Sequence, residues 1–279
     1  MLAAPPGVKL GATIVAAGEF SAPYARLTEM RRMPPTFAGA DIAAHFLKHA
    51  DEHTIAVIEA VRLALQHGQL DASQTRDWAM LSGPRYIGRL AAKQLVTRFD
   101  RQGGSSITTH AASQYSLNSP AAAVSIVLGS HGPNVGVGGG PWGLADGCLT
   151  ALSLFDVQAV PGAWLLFSQW DPEPIADERG QPTHDCTCHA VALALRPGSA
   201  TDGPSLSATF DAPGAPRPLI RSGQSPFDLL GREPMVWDLA TCVRNWNSGL
   251  PTSWSCPLPG AGQLDLNLPI EAGSARLVA

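Results

Sequence analysis

Residues 118–143 read NSPAAAVSIVLGSHGPNVGVGGGPWG, and this stretch decides the fold class. It contains an apolar run at 121–128 that suits either a helix or an extended strand. Residues 133–137 then favour a short strand, and the glycines at 138–140 favour a turn. A helix is expected from about 143 to 157, because apolar side chains recur there at helical spacing. The stretch therefore predicts a strand that leads through a glycine turn into a helix.

The stretch belongs to a longer segment that carries no charge. From Gln102 to Ala145, 44 residues in all, there is no Asp, Glu, Lys or Arg. The segment contains too much glycine, serine and asparagine to span a bilayer. A soluble protein can leave such a length uncharged only if most of it is buried, either in its own core or against another chain. We call residues 102–145 the uncharged segment and expect it to be largely buried.

On both sides of this segment, strand-like and helix-like patterns alternate. Strands are expected at 8–17, 78–82, 163–169, 189–195 and 264–268. Helices are expected at 51–66, 87–99 and 235–246. Loops are expected at 21–40 and 197–234, because prolines are frequent there. This alternation predicts a layered α/β fold.

The composition limits the class of protein and its partners. The chain has 279 residues, of which 45% are hydrophobic and 15% charged, so there is ample material for a core. A net charge of -4 gives no basic surface for nucleic acid and no polybasic signal for a membrane. No run is uniformly apolar over the length of a membrane helix, and the N-terminus lacks the positive start of a signal peptide. Five cysteines are an odd number in a chain too long for a disulfide scaffold, so we expect a reduced, cytoplasmic setting.

Four segments, in the same order along the chain, resemble β-ketoacyl synthases. Residues 118–129 are similar to the family pattern N-x-P-A-x-x-I-S-I-x-L-G, and residues 132–137 to its G-P-N-V-T-V strand. Residues 163–169 and 189–195 are similar to two later strands of the family, A-D-x-x-L-V-G-G and G-A-A-A-L-V-L. The resemblance extends over residues 8–197 and implies a thiolase-like fold.

That fold is a layered αβαβα arrangement built from two similar halves. The resemblance implies that residues 1–197 form a complete first half. The remaining residues, 198–279, are too few for a full second half. We therefore expect a truncated second half, a shortened C-terminal remnant that packs on the first.

The resemblance also implies that the chemistry of the family is absent. Ketosynthases carry the acyl group on a cysteine at the start of a helix, where the helix N-terminus lowers the pKa of the thiol. Counting along residues 132–140 places Pro141 at the matching position, and proline has no nucleophile. The family uses two further histidines from its second half, whereas no histidine follows His189. The chain is thus similar to a chain length factor, an inactive homologue that shapes the acyl cavity of an active ketosynthase in fatty-acid, polyketide or aryl-polyene assembly.

In the family, the strand before the nucleophile pairs with its counterpart in a second subunit. The expected partner is an identical chain or an active ketosynthase, and no cofactor is expected. The residues expected at this interface are Tyr115, Asn118, Ser119, Pro133, Asn134, Val135, Gly136 and Val137.

Two further contacts follow from the resemblance. Gly139, Gly140 and Trp142 are expected to line a vestigial acyl pocket, with the indole filling the space of an acyl chain. An acyl carrier protein is acidic, and Arg85, Arg89 and Lys93 form a basic cluster at the second expected helix, with Arg85 just before its start at 87. We expect these three side chains to be its contact.

Other functions stay open at this point. The chain could bind an acyl chain or a carrier protein on its own, or it could be an enzyme of different chemistry that uses Cys148 as nucleophile. His184, Cys186, Cys188 and His189 are residue types that bind zinc, although C-x-C is not the usual spacing and a strand would place His189 on the opposite face from the thiols. His45, His49 and His53 are spaced four apart and would hold a metal if they lined one helix face.

Overall fold

A computed structural model describes residues 8–33, 36–37, 40–42, 44–107, 113–198, 203–210, 233–258 and 262–269. The helices within these residues are α1 (Tyr24–Arg32), α2 (Ala44–Leu47), α3 (Glu52–Gly68), α4 (Arg89–Gln102), α5 (Ser119–Leu128), α6 (Gly143–Asp156) and α7 (Val236–Asn247). The strands are β1 (Lys9–Pro23), β2 (Thr36–Phe37), β3 (Ala40–Asp41), β4 (Ala79–Pro84), β5 (Asn134–Gly136), β6 (Ala163–Asp171), β7 (Thr187–Pro197), β8 (Ser205–Phe210), β9 (Thr252–Pro257) and β10 (Gly262–Leu268). None of these helices is both long enough and apolar enough to cross a bilayer.

An eight-stranded sheet organises the molecule. Its strand order is β5-β4-β6-β7-β1-β8-β10-β9, while β2 and β3 form a separate pair. Strand β4 is parallel to β5 and β6, and the remaining neighbours in the sheet are antiparallel. Parallel neighbours need a crossover, and the helices α5 and α6 lie in the two crossovers that connect β4, β5 and β6.

Helices cover both faces of the sheet. On β6, Leu165 and Phe167 point into the core shared with α6 and α7, whereas Trp164 and Leu166 point into the core shared with α1, α3 and α5. All four side chains are fully buried. A strand that is covered on both sides needs apolar residues at successive positions, which explains the continuous apolar run at 163–167.

Helix α3 is the longest helix on its face, and its sequence fixes both of its ends. It begins after Asp51, whose carboxylate accepts a hydrogen bond from the backbone N–H of His53 at 2.9 Å. It ends at a left-handed residue, Gln69, with the N–H of Leu70 donating to the carbonyl of Leu65 at 3.0 Å. The helix lies so close to β1 that a Cβ on Gly18 would stand 2.2 Å from the Ala60 carbonyl oxygen.

The two parts of the chain contribute to one sheet. The strands β5, β4, β6, β7 and β1 all lie before residue 198 and form the first half. The C-terminal part adds β8, β10 and β9 beyond β1, with Lys9–Thr13 pairing antiparallel to Ser205–Thr209. Helix α7 packs against the same face as α6. Within the described residues, the strands that follow residue 198 therefore extend the sheet formed by the earlier strands.

Some local expectations were wrong. Residues 24–32, expected as loop, form α1, which buries only Leu27 and Met30 and so carries little helical pattern. Helix α2 ends at Leu47 and α3 begins at Glu52, so positions 45, 49 and 53 do not share one helix. Strands β8 and β9 were not predicted, because both lie outside the central apolar strands and expose alternate residues.

Candidate functional site

The nucleophile position of the ketosynthase-like stretch lies in a tight turn. After β5, Gly138 and Gly139 take left-handed backbone angles, and the N–H of Gly143 donates to the carbonyl of Gly140 at 3.2 Å. Pro141 is the second residue of this four-residue turn, the position that proline favours. It precedes α6 by two residues and offers neither a nucleophile nor a backbone N–H. The turn is closed, because a Cβ on Gly138 would stand 2.4 Å from the Cα of Gly143.

The residues of the expected acyl pocket have different surroundings. Gly139 is covered by Leu117, whose Cδ2 would lie 2.6 Å from an added Cβ, while Gly140 has open space beside it. Trp142 is half-buried against the core of α6 and α7. Its indole Nε1 is buried and finds no hydrogen-bond partner among the described residues. The structure thus places the indole in the core packing next to the turn.

Cys148 lies on the buried side of α6. It is 1% exposed and packs in the same core as Leu144 and Leu152. Burial strongly raises the pKa of its thiol, and the neighbouring Cys256 adds to the effect. A thiol in this environment stays protonated, so it behaves as a core residue and not as a nucleophile.

The histidine and cysteine cluster around β7 is divided between the two faces of the sheet. Cys186 and Cys188 are buried in the core of α1 and α3. His189 projects on the other face, where its Nδ1 lies 2.9 Å from Ser21 Oγ. His184 is half-buried and near Thr183. In the part of the chain that is described, no three His, Cys, Asp or Glu side chains are placed to hold a metal ion.

The expected interface residues lie together at the open edge of the sheet. Strand β5 is the terminal strand, and Pro133, Asn134 and Val135 are exposed there. The segment with Tyr115, Asn118 and Ser119 is half-buried directly beside it, since a Cβ on Gly136 would stand 2.6 Å from the backbone of Leu117. Val137 is buried, and its N–H still donates to Ser82 of β4 at 2.8 Å.

The basic cluster expected to contact a carrier protein is largely neutralised. The side chain of Arg85 is 14% exposed and lies between Glu233, at 2.8 Å, and Glu173, at 3.8 Å. Arg89 pairs with the same Glu173 at 3.5 Å. Lys93 is exposed on α4 and has no ion pair among the described residues. Of the three cations, Lys93 is therefore the one that is both exposed and without an ion pair among the described residues, while Arg89 is exposed but paired.

A group of buried charged residues at the start of α3 was not predicted from the sequence. Arg31 of α1 forms an ion pair with Glu52 and donates to the Ala50 carbonyl at 3.1 Å. Asp51 is 3% exposed and accepts from the backbone of His53 at 2.9 Å and of Gly88 at 3.1 Å. The capping position of Asp51 was readable from the sequence, but its contact with Gly88 was not.

Burial governs the ionisation of this group. Desolvation raises the pKa of Asp51 to about 6, against the lowering effect of its two backbone hydrogen bonds. Desolvation lowers the pKa of the neighbouring His53 to about 4. The His53 Nδ1 lies 2.9 Å from Ser168 Oγ, and its Nε2 is buried with no hydrogen-bond partner in the described structure. The imidazole is therefore neutral at physiological pH.

Several solved structures are similar to this chain, although no curated sequence is. No protein-family model matches the sequence, and no curated protein sequence matches it. A structure of a ketosynthase in complex with its chain length factor, from Xenorhabdus doucetiae, is 13% identical and has a TM-score of 0.51 over 96% of this chain and 100% of that chain. A β-ketoacyl synthase from Burkholderia phymatum is 12% identical with a TM-score of 0.44, over 68% of this chain and 60% of that chain. 3-Oxoacyl-(acyl carrier protein) synthase III from Pseudomonas aeruginosa is 11% identical with a TM-score of 0.40, over 93% and 98%.

At this level of identity the first similarity shows the fold alone. It agrees with the sheet, in which the ketosynthase-like strands and the glycine turn follow one another as the motifs predicted. The chain therefore has the thiolase-like α/β fold of the ketosynthase structures, which confirms the fold class predicted from its sequence.

Proposed function

We propose that this chain is a non-catalytic subunit, of the chain-length-factor type, that pairs with a ketosynthase in fatty-acid, polyketide or aryl-polyene assembly. One observation carries the proposal: the uncharged segment is exposed where it surrounds the open edge of β5. Ile126 on α5 is 66% exposed and Val135 on β5 is 36% exposed. A long uncharged surface beside an unpaired strand is costly unless another chain covers it.

The turn at Pro141 supports the absence of condensation. The position that carries the nucleophile in ketosynthases holds a side chain that cannot form a thioester. Cys148, the thiol nearest to Pro141 along the chain, is buried in the core, and burial raises its pKa. A subunit without its own nucleophile needs a partner that supplies one, and the Xenorhabdus structure holds a ketosynthase in complex with its chain length factor. All five cysteines are free thiols, which suits a cytoplasmic setting.

The backbone of β5 is suited to pairing with a second strand. The Pro133 carbonyl accepts from Met80 at 2.7 Å and the Val137 N–H donates to Ser82 at 2.8 Å, so odd-numbered residues face β4. Asn134 and Gly136 consequently direct their N–H and C=O groups away from the sheet. A partner strand would bind these outward groups and continue the sheet into the second subunit.

The experiment is co-purification with a ketosynthase encoded in the same host. The tagged chain is recovered from that host, its companions are identified by mass spectrometry, and the pair is reconstituted on a sizing column with light scattering. We expect a ketosynthase with an intact cysteine and two histidines in an equimolar complex. Recovery of a stable monomer at micromolar concentration, with no ketosynthase, would contradict the proposal.

Two proline variants test the edge itself. Asn134→Pro removes an outward N–H and should abolish the complex while leaving the melting temperature of the single chain within a few degrees. Val135→Pro removes an N–H that faces β4 and should lower the melting temperature instead. Complex formation by Asn134→Pro at wild-type affinity would exclude strand pairing at this edge.

A groove in the uncharged segment favours a second candidate function, the binding of an acyl chain by this protein alone. The groove has a volume of about 330 Å³ and lies between α2 and α5, lined by Phe46, Leu47, Ala122, Ala123 and Ile126. A fluorescent fatty acid would bind the isolated chain, and Ala123→Trp would block it. Binding only in the presence of a ketosynthase would favour the partner-subunit function instead.

An acyl carrier protein is the second partner that we propose, with Lys93 as its contact. Lys93→Glu should weaken carrier binding, whereas Arg62→Glu, on the distant helix α3, should not. Equal binding of the carrier protein by both variants would show that α4 is not the docking helix.

A further inference from the structure

A polar cavity lies between α1, the start of α3, α4 and the loop that connects β6 to β7. Its volume is about 170 Å³, and residues 48–50 and Tyr115 complete its lining. The lining includes Arg31, Lys48, Glu52, Tyr115 and Arg179. The cavity lies on the opposite face of the sheet from the Pro141 turn, because α3 and α6 pack against different cores.

The acceptors in this cavity are already occupied. Asp51 uses one carboxylate oxygen for the N–H of His53 and the other for the N–H of Gly88. Glu52 is paired with Arg31. Neither carboxylate is therefore free to bind a cation that enters the cavity.

The donors, by contrast, are in excess. Arg31 donates from Nε to the Ala50 carbonyl and from Nη2 to Glu52, which leaves the N–H groups of Nη1 without a protein acceptor among the described residues. The side chains of Lys48 and Arg179 are exposed and pair with no carboxylate in the described part of the chain. Arg31, Lys48 and Arg179 thus line one cavity with donors to spare, and guanidinium and ammonium groups are the donors that bind oxyanions.

We propose that this cavity binds a small oxyanion, a carboxylate or a phosphate, through Arg31, Lys48 and Arg179. The volume limits the ligand: at about 30 Å³ for each water molecule, the cavity holds the equivalent of about five to six waters. A ligand of that size is an inorganic phosphate or a short carboxylic acid, not an acyl chain. The proposal does not depend on a ketosynthase partner.

Helix α4 forms one wall of this cavity. Leu90, Ala91 and Gln94 line the cavity from α4, and Leu90 is the one residue of the helix that is fully buried. The helix is held at its start by the Asp51–Gly88 hydrogen bond and near its end by an ion pair of Arg101 with Glu178 at 2.7 Å. A helix with so little buried surface opens locally at low cost, and a ligand held against it would oppose that opening.

The test is isothermal titration of the full chain with inorganic phosphate and, separately, with succinate, at constant ionic strength set by sodium chloride. The variant Lys48→Gln/Arg179→Gln removes two exposed cations and should keep the fold. Its matched control is Lys93→Gln/Arg98→Gln on α4, outside the set of lining residues. We expect the first variant to weaken binding about tenfold or more, as for the loss of two charge-assisted hydrogen bonds, and the control to change it less than about twofold.

Hydrogen exchange provides a second measurement that does not rely on the heat of binding. Hydrogen exchange should slow in residues 88–102 when the ligand is present, in the wild type but not in the Lys48→Gln/Arg179→Gln variant. Tighter binding of phosphate or of succinate identifies which oxyanion the site prefers. No binding of either at 10 mM, or equal weakening by the two double variants, would overturn the proposal.

Discussion

The uncharged segment and the start of α3 handle charge in opposite ways. Around β5, residues without charge lie on the surface, with Ile126 and Val135 exposed. At the start of α3, Asp51 and Glu52 are buried at 3% and 6% exposure. Both arrangements depart from the usual placement of charged residues outside and apolar residues inside. The buried carboxylates of the second region are satisfied within this chain by Arg31 and by backbone donors, whereas Ile126 and Val135 of the first region stay exposed in the single chain.

The largest expected effect comes from breaking the buried charge group. Arg31→Ala leaves Glu52 buried without its partner and should lower the free energy of unfolding by about 3 kcal/mol. The matched control is Arg26→Ala on the same helix, because Arg26 pairs with Glu29 at 2.5 Å on the exposed surface. That variant should cost less than about 1 kcal/mol. Urea unfolding measures both, and equal effects would mean that burial of the pair contributes nothing.

The second expected effect is a pH dependence of the free energy of unfolding, to which Asp51 and His53 contribute with opposite signs. The pKa of Asp51 is raised to about 6, so its contribution to stability is present below about pH 4 and is lost as the pH rises to 6. The pKa of His53 is lowered to about 4, so its contribution is present above about pH 6.5 and is lost as the pH falls to 4. Each shift corresponds to about 3 kcal/mol, and the two nearly cancel between pH 4 and 6.

Two variants separate these contributions. His53→Asn leaves Asp51, so its stability should fall as the pH rises from 4 to 6. Asp51→Asn leaves His53, so its stability should rise over the same range. Thermal unfolding at pH 4, 5, 6 and 7 measures the two slopes, and parallel slopes would show that these side chains do not govern the dependence.

A smaller effect is expected at the turn within the uncharged segment. Pro141→Cys restores a thiol at the nucleophile position but gives up the fixed backbone angle of proline, at a cost of about 1 kcal/mol or less. We expect no condensation of acyl-carrier substrates, because no histidine follows His189 in the sequence. Product formation by this variant, measured by mass spectrometry, would show that the rest of the site is intact. Pro141→Ser is the control, because it also loses the proline ring but gains no thiol.

The smallest effect on stability is expected at the exposed edge. Val135→Glu should change the free energy of unfolding by no more than about 0.5 kcal/mol, because the side chain is exposed in the single chain. The same change should sharply weaken the proposed complex with a ketosynthase. Val157→Glu is the matched control, since Val157 is 70% exposed and lies outside the uncharged segment. A complex that tolerates both changes would place the interface elsewhere.

Much of the first half could be predicted from local patterns. The apolar run at 163–169 and the glycine turn after 133–137 lie where the sequence placed them, because a strand buried on both faces and a left-handed turn each need particular residues. Helix α1 could not be predicted, since it buries two side chains and owes its position to Arg31. The charge group around Asp51 could not be predicted either, because its partner Gly88 is 37 positions away.

The strand at 163–169, the glycine turn after 133–137 and the helix that follows this turn could all be read from the sequence. These features depend on residues that are neighbours along the chain, so their physical causes are local. The tertiary fold, by contrast, sets three features: the C-terminal strands join the sheet beside β1, uncharged side chains are exposed at β5, and Arg31, Lys48 and Arg179 line one cavity. Each of these depends on which strands and helices pack together, and that choice is set by burial summed over the whole chain and not by any one segment.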